Sequence, residues 1–295
     1  MPTRHRPLAG FRIVSLALNI PGPVALATCR RWGARCDKFE PPVGDPVRHW
    51  AAGVYAELHR GVRVRTVDLK SAAGAAALHR VLDEADLLLT AFRPQALARL
   101  GLSWRALRVR HPALSMVAIQ GAAAPARANE AGHDLTYQAE HGLVAPGGLP
   151  RTLVADMAGA EAVQQAVLLA ALDKAQGQVP QRRVVGLSEA AERMAAPQRW
   201  GLTRPGGLLG GGHAGYQVLR AQDGWVALAA LEPHFGQRVA ALVGLAAPTN
   251  WGAADTHAAV AAWVAGHSTA ALSALAARHD LPLVVCPLGE GDPAA

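Results

Sequence analysis

The chain of 295 residues carries 29 Lys and Arg against 22 Asp and Glu, a formal charge of +7, and is 51% hydrophobic. That content buries a large core in one big or two modest domains, while no apolar run approaches the ~20 residues of a membrane span. The segment MPTRHRPLAG is not followed by a signal-peptide core, so the expectation is a cytoplasmic protein. Three cysteines, Cys29, Cys36 and Cys286, are too few and too scattered for a disulfide framework or a zinc site, and no metal is expected. The arginines are spread along the chain without a basic run or aromatic interleaving, a pattern that supports nucleic-acid binding only weakly; an anionic small ligand explains the charge as well.

In chain order, residues 11–16 (FRIVSL) form a short apolar run that predicts a strand. Asn19-Ile20-Pro21-Gly22-Pro23 and a helical stretch to Trp32 follow, then a second strand over 34–39. Asp45-Pro46 closes a Pro/Gly loop, residues 62–69 (VRVRTVDL) alternate as a third strand, and 71–84 read as an Ala-rich helix. A fourth strand is expected at 87–89, short helices around Ala98 and Leu107, and a fifth strand at 114–119. Strands separated by helices of this length predict an open parallel sheet with helices on both faces, where ligands lie beyond the carboxyl ends of the strands. There is no GxGxxG and no P-loop, so a dinucleotide bound in the usual way is not indicated.

Residues 132–159 (GHDLTYQAEHGLVAPGGLPRTLVADMAG) organise the rest. Two polar words, Gly132-His133-Asp134 and Ala155-Asp156-Met157, open two apolar helix-like runs with a Gly/Pro-rich loop between them. A helix start leaves about four N–H groups free and carries roughly half a positive charge, which suits an anion or an enolate oxygen. The first run, 133–143, stops at Gly142 and Pro146-Gly147-Gly148; the second, 157–174, breaks at Gly177 and faces the core with Val163, Val167 and Leu168. By position Asp156 equally suits a helix N-cap, His133 a hydrogen-bonded structural histidine, and Asp134 a first-turn charge. An imidazole and a carboxylate brought to one cleft, however, can take a proton from one side of a carbon and return it on the other.

Past Gly177, residues 182–194 are a mixed segment, and Arg204-Pro205-Gly206-Gly207 with Gly210-Gly211-Gly212 make a flexible crossing. Residues 216–230 predict a hairpin turning at Asp223-Gly224. Glu232-Pro233 begins a helix to Val243, helical segments lie around 258–264 and 270–279, and a strand covers 283–286. The expected division is a large α/β domain over 1–195, a Gly-rich linker over 196–213 and a small α+β domain over 214–295.

With these pieces located, the sequence resembles class III coenzyme A transferases, the carnitine dehydratase/bile-acid-inducible family, and is most similar to its alpha-methylacyl-CoA racemase branch. The likeness covers nearly the whole chain. Its words are PLAGFRIVSL with Pro21-Gly22-Pro23, Gly33-Ala34 through Glu40-Pro41, Arg60-Gly61 with VDLKS, ADLLLTAFRP, GHDLTY, LVADMAG, Gly177-Gln178 and GGGHAGYQVLRAQDGWVALAALEPHF. The resemblance implies an open-sheet CoA domain plus a smaller domain, joined by two linkers in an interlocked homodimer. It implies that His133 is the racemase histidine, Asp156 a base in racemases and a nucleophile in transferases, and Glu232 a supporting glutamate. It also places Val67, Asp68, Leu69, Lys70, Phe92, Arg93, Gly132, Asp134, Leu135, Thr136 and Tyr137 along the CoA thioester site. Lys70 and Arg93 suit phosphates, the one as a point charge and the other as a fork, although each is also ordinary surface charge. Tyr137 is equally plain core, and Glu232 a first-turn carboxylate.

The implied function is an acyl-CoA racemase or epimerase acting on a 2-methylacyl-CoA-like thioester, with coenzyme A as part of the substrate and no tightly bound cofactor. A class III CoA transferase working through an aspartyl-CoA anhydride and a non-catalytic CoA-binding remnant are the alternatives. His133 favours the racemase, because transfer needs no second base there. Four departures stand out, one being a loop between His133 and Asp156 that is shorter than in typical racemases. The family commonly continues well past Val285-Cys286-Pro287, so a missing return segment is expected; Gln120-Gly121-Ala122-Ala123-Ala124 replaces a glycine- and aromatic-rich word; and Pro41 stands where some members carry arginine.

Overall fold

The computed structural model describes residues 6–287. The first residues of MPTRHRPLAG, and the chain beyond 287 on which the missing return segment bears, lie outside the described residues. The chain divides into two compact units, residues 1–195 and 196–295.

The large unit runs β1 (Arg12–Ser15), α1 (Pro21–Arg31), β2 (Arg35–Glu40), α2 (Val47–Trp50), α3 (Ala52–Leu58), β3 (Arg63–Thr66), α4 (Ala72–Leu82), β4 (Leu87–Thr90), α5 (Pro94–Arg99), α6 (Trp104–Arg110), β5 (Ser115–Gln120), α7 (Asp134–Glu140), α8 (Val154–Ala175), β6 (Arg182–Gly186) and α9 (Leu187–Met194). The six strands form one sheet in the order β3-β2-β1-β4-β5-β6, parallel at every pairing. Both faces are covered, which is why β4 and β5 are buried at every residue and read as near-continuous apolar runs. Alternation divides the side chains. Ile13, Leu87, Leu89, Val117 and Ile119 pack with α1 and α8 on one face; Val14, Leu88, Met116 and Ala118 pack with α4, α5 and α6 on the other.

Two features differ from the sequence reading. The mixed segment 182–194 resolves into strand β6 and helix α9. Arg182 and Arg183 masked the strand, but β6 is the sheet edge, where charge is tolerated, and Arg183 pairs there with Asp173 of α8. The Pro/Gly loop after β2 contains α2 and α3, which show little apolar patterning because Val47 is the one buried residue between them.

The small unit holds α10 (Ala196–Arg199), β7 (Tyr216–Arg220), β8 (Trp225–Ala229), α11 (Pro233–Val243), α12 (Ala254–Ala265), α13 (Thr269–His279) and β9 (Leu283–Val285). Its three-stranded sheet has the order β7-β8-β9, antiparallel throughout, over a core that includes Val226, Leu228, Val239, Val260, Val264 and Leu272. The glycine-rich crossing is a hydrogen-bonded coil rather than an extended strap. The Gly206 N–H donates to Gly210 O at 3.0 Å and the Gly212 N–H to Gly207 O at 2.8 Å. A Cβ on Gly210 would lie 1.9 Å from Arg204 O, so only glycine allows that closeness. Among the described residues no single helix is long and apolar enough to cross a membrane.

Candidate active site

The sheet order reverses between β1 and β4, and the loops leaving those two strands frame a crevice beyond their carboxyl ends. A cavity of about 210 Å³ lies there. Leu18, Asn19 and Pro21 after β1, Ala91 and Arg93 after β4, and Ile119, Gln120 and Gly121 at the end of β5 form one wall. Ala128, Glu130, Gly132, His133, Tyr137, Asp156 and Leu187 form the other. Pro21 and Pro23 remove two amides from the start of α1, so this helix start is a poor cradle for a dinucleotide phosphate.

Several of these groups are held from behind. Asn19 sits in the left-handed region at φ 66°, and its N–H donates to Asp45 Oδ1 at 3.2 Å. Asp45 is in turn paired with the fully buried ammonium of Lys38. The loop after β5 is tied to α9, where the Glu189 carboxylate accepts the Ala123 N–H at 2.9 Å and Gly121 O accepts the Ser188 N–H at 2.8 Å. Its Gly121 meets Tyr137. A Cβ built on Gly121 or on Gly132 would lie 2.5 Å from Tyr137 Oη, so the two glycines seat the phenol from both sides. Burial, followed by the charge of Asp156, raises the Tyr137 pKa and keeps its O–H a donor.

His133 is the N-cap residue of α7, in extended conformation, and its N–H donates to Thr136 Oγ1 at 3.1 Å, the return half of a capping box. Asp156 is not a cap. Leu153 holds that position, and Asp156 lies in the first turn of α8, where its backbone N–H donates to Asp134 Oδ1 at 3.0 Å. Asp134 is therefore more than a first-turn charge. It is 5% exposed, supplies the cap that α8 lacks, and takes Gln138 Nε2 on its second oxygen. The Asp156 carboxyl is thus left to the cleft, and its pKa is pushed up to about 7, first by burial and then by the Asp134 charge.

Of the residues singled out from the sequence, the cleft gathers Arg93, Gly132, His133, Tyr137 and Asp156. Asp134 stands behind it. Val67, Asp68, Leu69 and Lys70 form the turn from β3 to α4, outside this lining: the Val67 N–H donates to Glu40 O at 2.8 Å, Asp68 Oδ1 accepts the Lys70 N–H at 2.9 Å, and Lys70 is exposed. Phe92 packs into the core on the α4–α6 face, Leu135 is exposed, and Thr136 serves the cap. Glu232 is the N-cap residue of α11 rather than a first-turn residue, and its exposed side chain makes no cap bond. Sequence reasoning missed Asn19, Gln120, Gly121 and Glu130 in the lining; an asparagine in the loop just ahead of Pro21, a residue type that tolerates left-handed backbone, was the one local signal.

Among the described residues, Glu40, Asp45 and His59 lie close enough together to share a metal ion. Lys38 Nζ already contacts all three, including Glu40 at 3.1 Å and His59 at 2.7 Å, so an ammonium stands where a cation would.

The chain matches CoA-transferase family III over residues 8–288. It is 30% identical over 275 residues to the succinate–glutarate CoA-transferase of Agrobacterium fabrum, across 84% of this chain and 69% of the relative. To human alpha-methylacyl-CoA racemase it is 29% identical over 245 residues, across 77% of this chain and 62% of the relative. A crystal structure of a Mycobacterium tuberculosis protein shares the fold at a TM-score of 0.84 and 24% identity, covering 97% of this chain and 84% of that one. The chain belongs to CoA-transferase family III, and its relatives include both CoA-transferases and a racemase.

Proposed function

We propose that the protein moves the α-proton of a 2-methylacyl-CoA-like thioester, as a racemase or epimerase. The observation that carries this reading is that His133 and Asp156 line one cavity, with the Asp156 pKa raised to about 7, where a carboxyl can both take and return a proton near neutral pH. One of the pair removes the proton from one face. The C–H electrons move onto the thioester oxygen as an enolate, which accepts a hydrogen bond from the protonated Tyr137, a residue of the same cavity lining. The other residue then protonates the opposite face. Arg93, at the start of α5, is the cleft cation suited to an anionic group of the coenzyme A moiety, which arrives with the substrate.

The test is α-deuterium incorporation from deuterium oxide into a panel of 2-methylacyl-CoA thioesters, with and without a carboxylate acceptor. His133→Ala and Asp156→Asn should each lower exchange by about 10²–10⁴-fold. Exchange at the parent rate in Asp156→Asn refutes the assignment.

The Agrobacterium relative's name favours a second reading, CoA transfer. In it Asp156 attacks the thioester carbonyl and expels CoA thiolate to form a mixed anhydride; the thiolate returns to the Asp156 acyl carbon and releases the donor carboxylate, leaving an Asp156–CoA thioester, and an acceptor carboxylate repeats the two steps in reverse to take the CoA and free Asp156. A thioester-derived adduct on Asp156 that hydroxylamine releases, with turnover only when an acceptor acid is present, establishes this reading over the first.

A further inference from the structure

At the opposite end of the sheet from the catalytic cleft, a second cavity of about 210 Å³ lies between the first residues of β1–β3 and the last turn of α4. Its charged lining is Arg12, Arg35, Arg63, Arg65 and Arg80 against the two carboxylates Asp37 and Glu84. The imbalance is set by strand register. Arg12 and Arg35 are direct partners on neighbouring strands, and Asp37 faces Arg63. Like charges placed opposite each other on one sheet face repel. The carboxylates answer only part of this: Glu84 takes Arg12 at 2.6 Å, and Asp37 is shared by Arg65 at 3.2 Å and Arg63 at 3.7 Å. Among the described residues, Arg35 and Arg80 have no carboxylate partner.

An unneutralised set of guanidinium forks in a concave site is complementary to an oxyanion with several charged oxygens, because each fork matches two of them. We propose that this cavity binds a small multiply charged phosphate compound of the diphosphate or phosphate-ester class, at a site separate from acyl-CoA turnover. The cavity's size suits a small anion and not a polymer. Binding neutralises the Arg12–Arg35 repulsion and stabilises the large unit by mass action.

The experiment is calorimetric titration of the full chain with inorganic pyrophosphate at constant ionic strength and without coenzyme A. One saturable site is expected, weakened about tenfold or more in Arg35→Gln/Arg80→Gln, since each substitution removes a guanidinium fork from the anion. Thioester turnover of that variant should match the parent and its ligand-free melting temperature should be no lower, since the Arg12–Arg35 repulsion is gone, and the single variant Arg80→Gln, an exposed change, should show an intermediate loss of affinity. Absence of saturable heat in the parent overturns the proposal. So does unchanged pyrophosphate affinity in both variants, which would place the anion outside this cavity, the catalytic cleft included.

Discussion

Asp134 Oδ1 accepts the backbone N–H of Asp156 at 3.0 Å, so one carboxylate caps the helix that presents the other. The contact holds α7 against α8 and also sets an acid beside an acid. Asp134→Ala removes both effects. It should cost about 1–3 kcal/mol in urea unfolding, the range for a buried hydrogen bond left unmade. It should also lower the pH midpoint of activity, because the Asp134 charge is one of the two causes that raise Asp156. A midpoint that stays put would mean that burial alone governs Asp156.

The raised pKa of Asp156 has a defined sign in stability. The carboxyl titrates near 3.8 when unfolded and near 7 when folded. Below the first value it is protonated in both states and contributes nothing. As pH rises through that window the unfolded chain ionises first, and above about 7 the fold carries an unfavourable charge at full cost. Asp156→Asn should therefore melt higher than the parent at pH 8, on the order of 5 °C, with the gap closing toward pH 4. A gap that does not change with pH refutes the shift.

Gly121 and Gly132 make separable contacts with Tyr137. Without Oη, the nearest ring atom to a Cβ at 121 is 3.3 Å away, while at 132 ring atoms remain at 2.6 Å. Gly121→Ala should be destabilising alone and nearly neutral in a Tyr137→Phe background. Gly132→Ala should stay destabilising in both backgrounds. Thermal melts of the two single glycine variants, Tyr137→Phe and the two double variants decide this.

Lys38 is fully buried and holds Glu40, Asp45 and His59 at once. Lys38→Met leaves two buried carboxylates unpaired and should cost about 3–5 kcal/mol by urea unfolding. Because Asp45 also anchors Asn19, residual activity at permissive temperature should fall as well. A loss below about 1 kcal/mol would show that the network is neutral.

What the sequence by itself determined was the parallel α/β architecture, five of the six strands, and the two helix starts that carry His133 and Asp156. These follow from local apolar period and from glycine and proline breaks, which each segment carries whatever surrounds it. Strand β6 escaped because its arginines are acceptable only at a sheet edge, and edge position belongs to the sheet as a whole. The roles of the charges were decided by tertiary structure alone. Asp156 reads locally as a cap until Asp134, 22 residues away, is found holding its amide. Asn19 reads as loop until Asp45 and Lys38 are seen to fix it, and Arg12 reads as surface charge until register sets Arg35 beside it. Burial and charge proximity decide what a carboxylate or a guanidinium does, and both arise only when distant segments meet.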